Sequence, residues 1–169
     1  LGHRRLGILR PSDPIQQRPF ALRLKGIKAA AARCRGAELR VLQWPLENLR
    51  PTLRYAEDFA AALMGAEGLT ALYTYSDDYA LPLAAVLQDR GVRIPEDISL
   101  LGTDNLPYGA MVRPGLSTIE LDEIPLGERA VGMMNHLLTG GGTADLDAEA
   151  TRPRVIPRAS TGAPSRPQR

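Results

Sequence analysis

The stretch from Leu69 to Asn105, LTALYTYSDDYALPLAAVLQDRGVRIPEDISLLGTDN, constrains the fold more than any other. An apolar run is followed by the acidic turn Ser76-Asp77-Asp78, then a helix-like segment, a Gly-Pro-punctuated turn and a second apolar run. The order is strand, helix, strand. A connection of that length joins parallel strands, and a parallel strand must be paired within a larger sheet. Each strand of the unit ends in polar residues, which matters because ligands of open α/β sheets bind beyond the carboxyl ends of the strands.

The rest of the chain repeats the alternation. Arg4 to Leu9 reads as a first strand, closed by the turn cluster Arg10 to Pro14. Phe20, Leu24, Ile27 and Ala31 fall at helical spacing, and Gly36 ends that helix. Glu38 to Trp44 alternates as a second strand. Pro51 sits as a first-turn proline of a second helix with Leu53, Ala56, Ala60 and Leu63 on one face. Thr70 to Tyr75 is a third strand and Asp78 to Arg90 a third helix, with Pro82 early enough to remove only one backbone bond. Ile98 to Leu101 is apolar throughout, as a strand buried on both faces should be. A helical turn and loop over Leu106 to Pro114, a strand at Ser117 to Leu121, an amphipathic helix at Glu123 to Leu138 and a strand at Arg154 to Ile156 complete the reading. Leu126, Ala130, Met133, Met134 and Leu137 form the apolar side of that last helix. Ala159 to Arg169 reads as a disordered tail.

Composition narrows the function classes. With 169 residues, 44% hydrophobic and 24% charged, the chain is long enough for one globular domain with a sizeable core. Aromatics at 5% argue against a base-stacking platform, and a formal charge of +2 implies no polyanion partner by itself. The arginines Arg152, Arg154, Arg158, Arg166 and Arg169 cluster late and read as a solvated tail. The single cysteine, Cys34, excludes an internal disulfide and a multi-cysteine metal site. It fits a cytoplasmic location. No run approaches a membrane span, and the start lacks the apolar core of a secretory signal.

The strand-end rule selects the candidate ligand residues: Ser12 and Asp13 after the first strand, Trp44 after the second, Thr74, Ser76, Asp77 and Asp78 after the third, and Asp104 and Asn105 after the fourth. Arg23, on the first helix, reaches for the same edge. A guanidinium, carboxylates and an aromatic at one edge suit a polar small molecule held by charge-assisted hydrogen bonds and stacked on its apolar face. The plainer readings are a helix cap for Ser76, Asp77 or Asp78, a turn for Asp104-Asn105, core for Trp44 and a solvated helix residue for Arg23. His3 and His136 sit away from any strand end, so no catalytic triad is legible. Neither GxGxxG nor GxxxxGK[ST] occurs, and no metal-ligand spacing is present. The chain therefore reads as no enzyme, with no cofactor and no metal.

Gly91 to Asn105, GVRIPEDISLLGTDN, resembles the "GLRVPEDVSVVGFDD" signature of the lactose/galactose-repressor (LacI/GalR) family of transcription regulators. Leu1 to Leu6 is similar to its "LGHRRIA", Arg23 to Ile27 to its "R-x-x-G-F", and Ser76 to Ala80 to its "N-D-x-x-A". Pro114 to Ile119 resembles "P-P-L-T-T-I", Leu126 to Ala130 "L-G-x-x-A", and Arg154 to Thr161 the closing "P-x-L-I-x-R-x-S-T".

The resemblance implies an α/β lobe of periplasmic-binding-protein type I fold, one of two that close on a sugar or nucleobase-like effector. It carries effector contacts onto Arg23 and Asp104, with Ser76-Asp77 and Trp44 lining the cleft. Ser12 and Asp13 are a further candidate loop. It implies a homodimer, with a face around Leu81, Leu83, Met111 and Val112, and operator DNA bound through a helix-turn-helix absent from this chain. It divides the chain into a second lobe at 1–116, a strand and helix at 117–150 returning to a missing first lobe, a last strand at 151–158 and the tail at 159–169. On this reading the apolar side of the 123–138 helix packs on the second lobe, on another copy, or poorly. Where the family has Asn and an aromatic, this chain has Ser76 and Thr103, so the effector is left open. The alternatives are a solute-binding lobe of an importer and an α/β enzyme.

Overall fold

The computed structural model describes residues 1–11, 13–43, 63, 68–121, 123–140 and 153–165. The strands are β1 (Arg5–Arg10), β2 (Glu38–Gln43), β3 (Ala71–Tyr73), β4 (Ser99–Thr103), β5 (Ser117–Glu120) and β6 (Arg154–Ile156). The helices are α1 (Gln17–Ala31), α2 (Asp77–Asp89) and α3 (Glu123–Leu138), with 3-10 turns at Pro14–Gln16 and Pro107–Ala110. Helix expected around Leu53, Ala56 and Ala60 lies outside the described residues, as do Ser12 and Trp44.

The six strands form one sheet in the order β2-β1-β3-β4-β5-β6. The first five run parallel and β6 pairs antiparallel with β5. All the parallel strands therefore end at one edge. The boundary expected at residue 117 falls inside this sheet, because Leu101, Gly102 and Thr103 pair with Ser117, Thr118 and Ile119.

The core lies mainly on one face. Tyr79, Ala80, Leu83 and Leu87, on one side of α2 at helical spacing, pack with Leu72, Leu100, Ile98 and Leu116. Pro82 lies inside this helix, which continues past it to Asp89. The opposite face carries α1, which buries only Phe20 fully. There Leu101 remains partly exposed, so β4 is not apolar-packed on both sides as its sequence suggests.

Three expectations are corrected. Leu83, placed on a dimer face, is 1% exposed and belongs to the core, while Leu81 and Val112 pack against that core and Met111 is exposed. The segment from Ala159 is not a free tail through residue 165. Ser160 is buried, its Oγ donating to the Leu100 carbonyl at 2.6 Å and accepting from the Ser117 amide at 2.7 Å. Arg158, likewise, is no solvated residue: its guanidinium donates to the Leu116 carbonyl and to Asn105 Oδ1, both at 2.6 Å. Val131, Met134, Leu137 and Leu138 on α3 remain exposed.

Candidate functional site

The carboxyl edge is built from the ends of β3 and β4 and from α1. Arg23 leans from α1 to the end of β3, where Nη1 donates to the Tyr75 carbonyl at 2.6 Å. Its guanidinium lies 4.3 Å from the centroid of the Tyr75 ring, a cation–π distance. Phe20 and Tyr79 pack around that ring, at 6.5 and 6.4 Å between centroids. An aromatic cluster thus supports the arginine. Sequence reasoning passed over Tyr75, whose position directly before Ser76-Asp77 at a strand end was the available signal.

β4 runs into Asp104 and Asn105, both with positive φ, at 99° and 52°. Non-glycine residues rarely occupy that region, and consecutive cases mark a turn held by its surroundings. The Asp104 amide donates to the Ile119 carbonyl at 2.8 Å. Asn105 is pinned on both ends of its amide, donating to Glu120 Oε1 at 2.8 Å and accepting from Arg158 Nη2 at 2.6 Å. Both ends of that side-chain amide are thereby bonded within the protein.

The other candidates separate. Ser76 occupies the N-cap position of α2 but its side chain makes no capping bond. Asp77, expected in the cleft, is 0% exposed, and its two oxygens accept from Thr118 Oγ1 and the Leu106 amide, each at 2.8 Å. Burial pushes its carboxyl above the ordinary aspartate range, opposed by those two donors and by Arg158. Asp78 takes a hydrogen bond from the Tyr108 hydroxyl at 2.8 Å, which raises the phenol's pKa. Asp13 caps the first 3-10 turn through the Ile15 amide at 2.8 Å.

On the α1 side of the sheet lies an open, largely apolar groove of about 560 Å³, lined by Leu6, Ile8, Leu39, Leu101 and Arg23 among others. Asp104, Ser76 and Asp77 are not among its lining residues. Arg23 reaches from α1 to the end of β3 and Asp104 follows the neighbouring β4, yet only Arg23 of the two lines this groove. Among the described residues no group of three His, Cys, Asp or Glu could hold a metal ion, and no helix is long and apolar enough to cross a membrane.

A family model described as "periplasmic binding protein-like domain" matches residues 1–161. The chain belongs to that family, in the form carried by LacI/GalR regulators. A transcriptional repressor named PurR from Haemophilus influenzae strain PittEE is 28% identical over 139 residues, covering 82% of this chain and 40% of that protein. The ribose operon repressor of H. influenzae strain Rd is 29% identical over 137 residues, covering 77% and 38%. A LacI-family regulator from Bifidobacterium animalis subsp. lactis superposes with a TM-score of 0.78 at 21% identity, covering 98% of this chain and 57% of that one. The chain spans about 40% of the length of each of these two repressors.

Proposed function

We propose that this chain forms one wall of the effector cleft of a LacI/GalR-type transcriptional regulator, with Arg23 and Asp104 as its polar contacts. The observation that carries this reading is their placement. Arg23 anchors at the end of β3 beside Tyr75, and Asp104 leaves the end of the neighbouring β4. Tyr75 and Ser76 supply the remaining edge. A guanidinium, a carboxylate and an aromatic face suit a compact polyhydroxylated or nucleobase-like molecule. The name of the ribose operon repressor favours a pentose among the first compounds to try.

The mechanism follows from differential binding. A ligand that bridges this edge and a second lobe stabilises their closed arrangement. In a dimer, closure changes the spacing of DNA-reading heads carried elsewhere in the protein and so changes operator affinity. Met111, exposed beside Val112, is the remaining candidate contact for that dimer.

The test uses the intact regulator that carries this sequence. It is titrated with a panel of pentoses, disaccharides and purine bases while operator binding is followed. Arg23→Ala and Asp104→Ala should each abolish the effector response and leave ligand-free operator affinity intact. An effector titration unchanged in both variants defeats the assignment. A ligand response with no operator binding at all would point to a solute-binding lobe instead.

A further inference from the structure

We propose that Asp77 is a positioning residue: its buried carboxylate clamps the turn after β4 and so aims Asp104 at the ligand edge. The inference rests on the effector-cleft reading and goes beyond it, because it assigns the family's acidic position a task away from the ligand.

Four observations converge. Asp77 begins α2, yet both its oxygens are spent outside that helix. Oδ2 takes the Leu106 amide, directly beyond the two positive-φ residues Asp104 and Asn105. Oδ1 takes the Thr118 hydroxyl on β5. Thr118 Oγ1 in turn accepts from the Asn105 amide at 3.2 Å, so one hydroxyl joins the carboxylate to the turn from the other side. The sheet itself makes room for the clamp at Gly102. A Cβ there would run into Asp77 Oδ1 and come within 3.1 Å of Leu116 Cδ2. The turn is therefore held at residues 105 and 106 by two fully buried side chains.

Position 104 needs such a hold. A backbone at φ 99° is unfavourable for aspartate and persists only when its surroundings over-determine it. Without the clamp the turn would relax toward ordinary conformations and carry the Asp104 carboxylate with it. A buried carboxylate that accepts two directed hydrogen bonds does this better than an apolar residue of the same size, which could fill the space without directing the amide of Leu106.

The test compares wild type with Asp77→Asn and, as a second variant that leaves the carboxylate in place, Thr118→Val. Amide hydrogen exchange and backbone chemical shifts are read in the absence of any ligand. In both variants the amides of Asn105 and Leu106 should exchange at least tenfold faster than in wild type. Those of Ile8 and Leu9 in β1 should hold their rates. The shifts of Asp104 and Asn105 should move away from those of positive-φ residues. A purely structural role would speed exchange across the sheet in proportion to lost stability and leave native-state shifts unmoved. That uniform pattern, or wild-type shifts and exchange at 104–106 in both variants, overturns the proposal. If the turn loosens as expected but Asp104→Ala leaves the effector response of the intact regulator intact, the clamp stands and the ligand assignment fails.

Discussion

Ser160→Ala isolates the bond that ties the C-terminal segment to the sheet. In the native protein the Ser160 hydroxyl donates to the Leu100 carbonyl at 2.6 Å and accepts from the Ser117 amide at 2.7 Å, at a site only 2% exposed. Alanine removes one oxygen and leaves a buried N–H and a buried C=O with that partner lost. A buried donor left unpaired costs about 1–3 kcal/mol, and a carbonyl, with two lone pairs, less. The sum is roughly 2–4 kcal/mol, a large fraction of an ordinary domain's 5–15 kcal/mol. With a urea m-value of about 2 kcal/mol/M the unfolding midpoint should fall by roughly 1–2 M at constant m. Ser165→Ala is the control. Its hydroxyl meets the Glu96 carbonyl at an exposed site, so its loss should stay within about 0.5 kcal/mol. Equal midpoints for the two variants would refute the buried clamp and restore a free tail from residue 159.

Two other outcomes are expected. Gly102→Ala puts a methyl against the Asp77 carboxylate and Leu116, and should destabilise by about 1–3 kcal/mol in the same urea assay; a neutral result would mean the packing there is loose. His3 bonds Gly162 through Nε2 at 2.8 Å and Thr70 through Nδ1 at 3.0 Å. Burial, the largest influence, lowers its pKa, with the Gly162 bond opposing. The folded protein thus binds a proton at His3 less readily than the unfolded chain. Its contribution to stability is full above the ordinary imidazole pKa, about 6.5, and is lost as pH falls through the depressed folded value. Melting scans from pH 8 to 5 should show that loss in wild type and a smaller one in His3→Gln. An identical slope in both would contradict it.

The alternation of strands and helices was legible because apolar spacing and Gly-Pro punctuation are local signals. The bounds of β6 and the span of α3 are those expected, whereas β4, expected at Ile98 to Leu101, runs from Ser99 to Thr103. Asp104 was legible as an edge residue because the strand-end rule needs only element order, and Arg23 as a residue of the first helix that leans toward the same edge. The clamp was not. A carboxylate at a helix start reads as a cap, and nothing near Asp77 announces Thr118, 41 residues away. Arg158 and Ser160 looked like tail for the same reason, since a polar residue's burial depends on partners 42 and 60 residues distant. Leu83 was misplaced because an apolar residue on a helix serves core and interface alike until the neighbouring strand is in view.

The central claim is that ligand is bound at the carboxyl ends of β3 and β4. It is tested most directly by an NMR titration of the isotope-labelled intact regulator with whichever panel compound alters operator binding. The account predicts shift changes concentrated at Arg23, Tyr75, Ser76 and the Thr103 to Asn105 turn. Changes centred instead on Leu6, Ile8, Leu39 and Leu101, along the apolar face of the sheet, would contradict it.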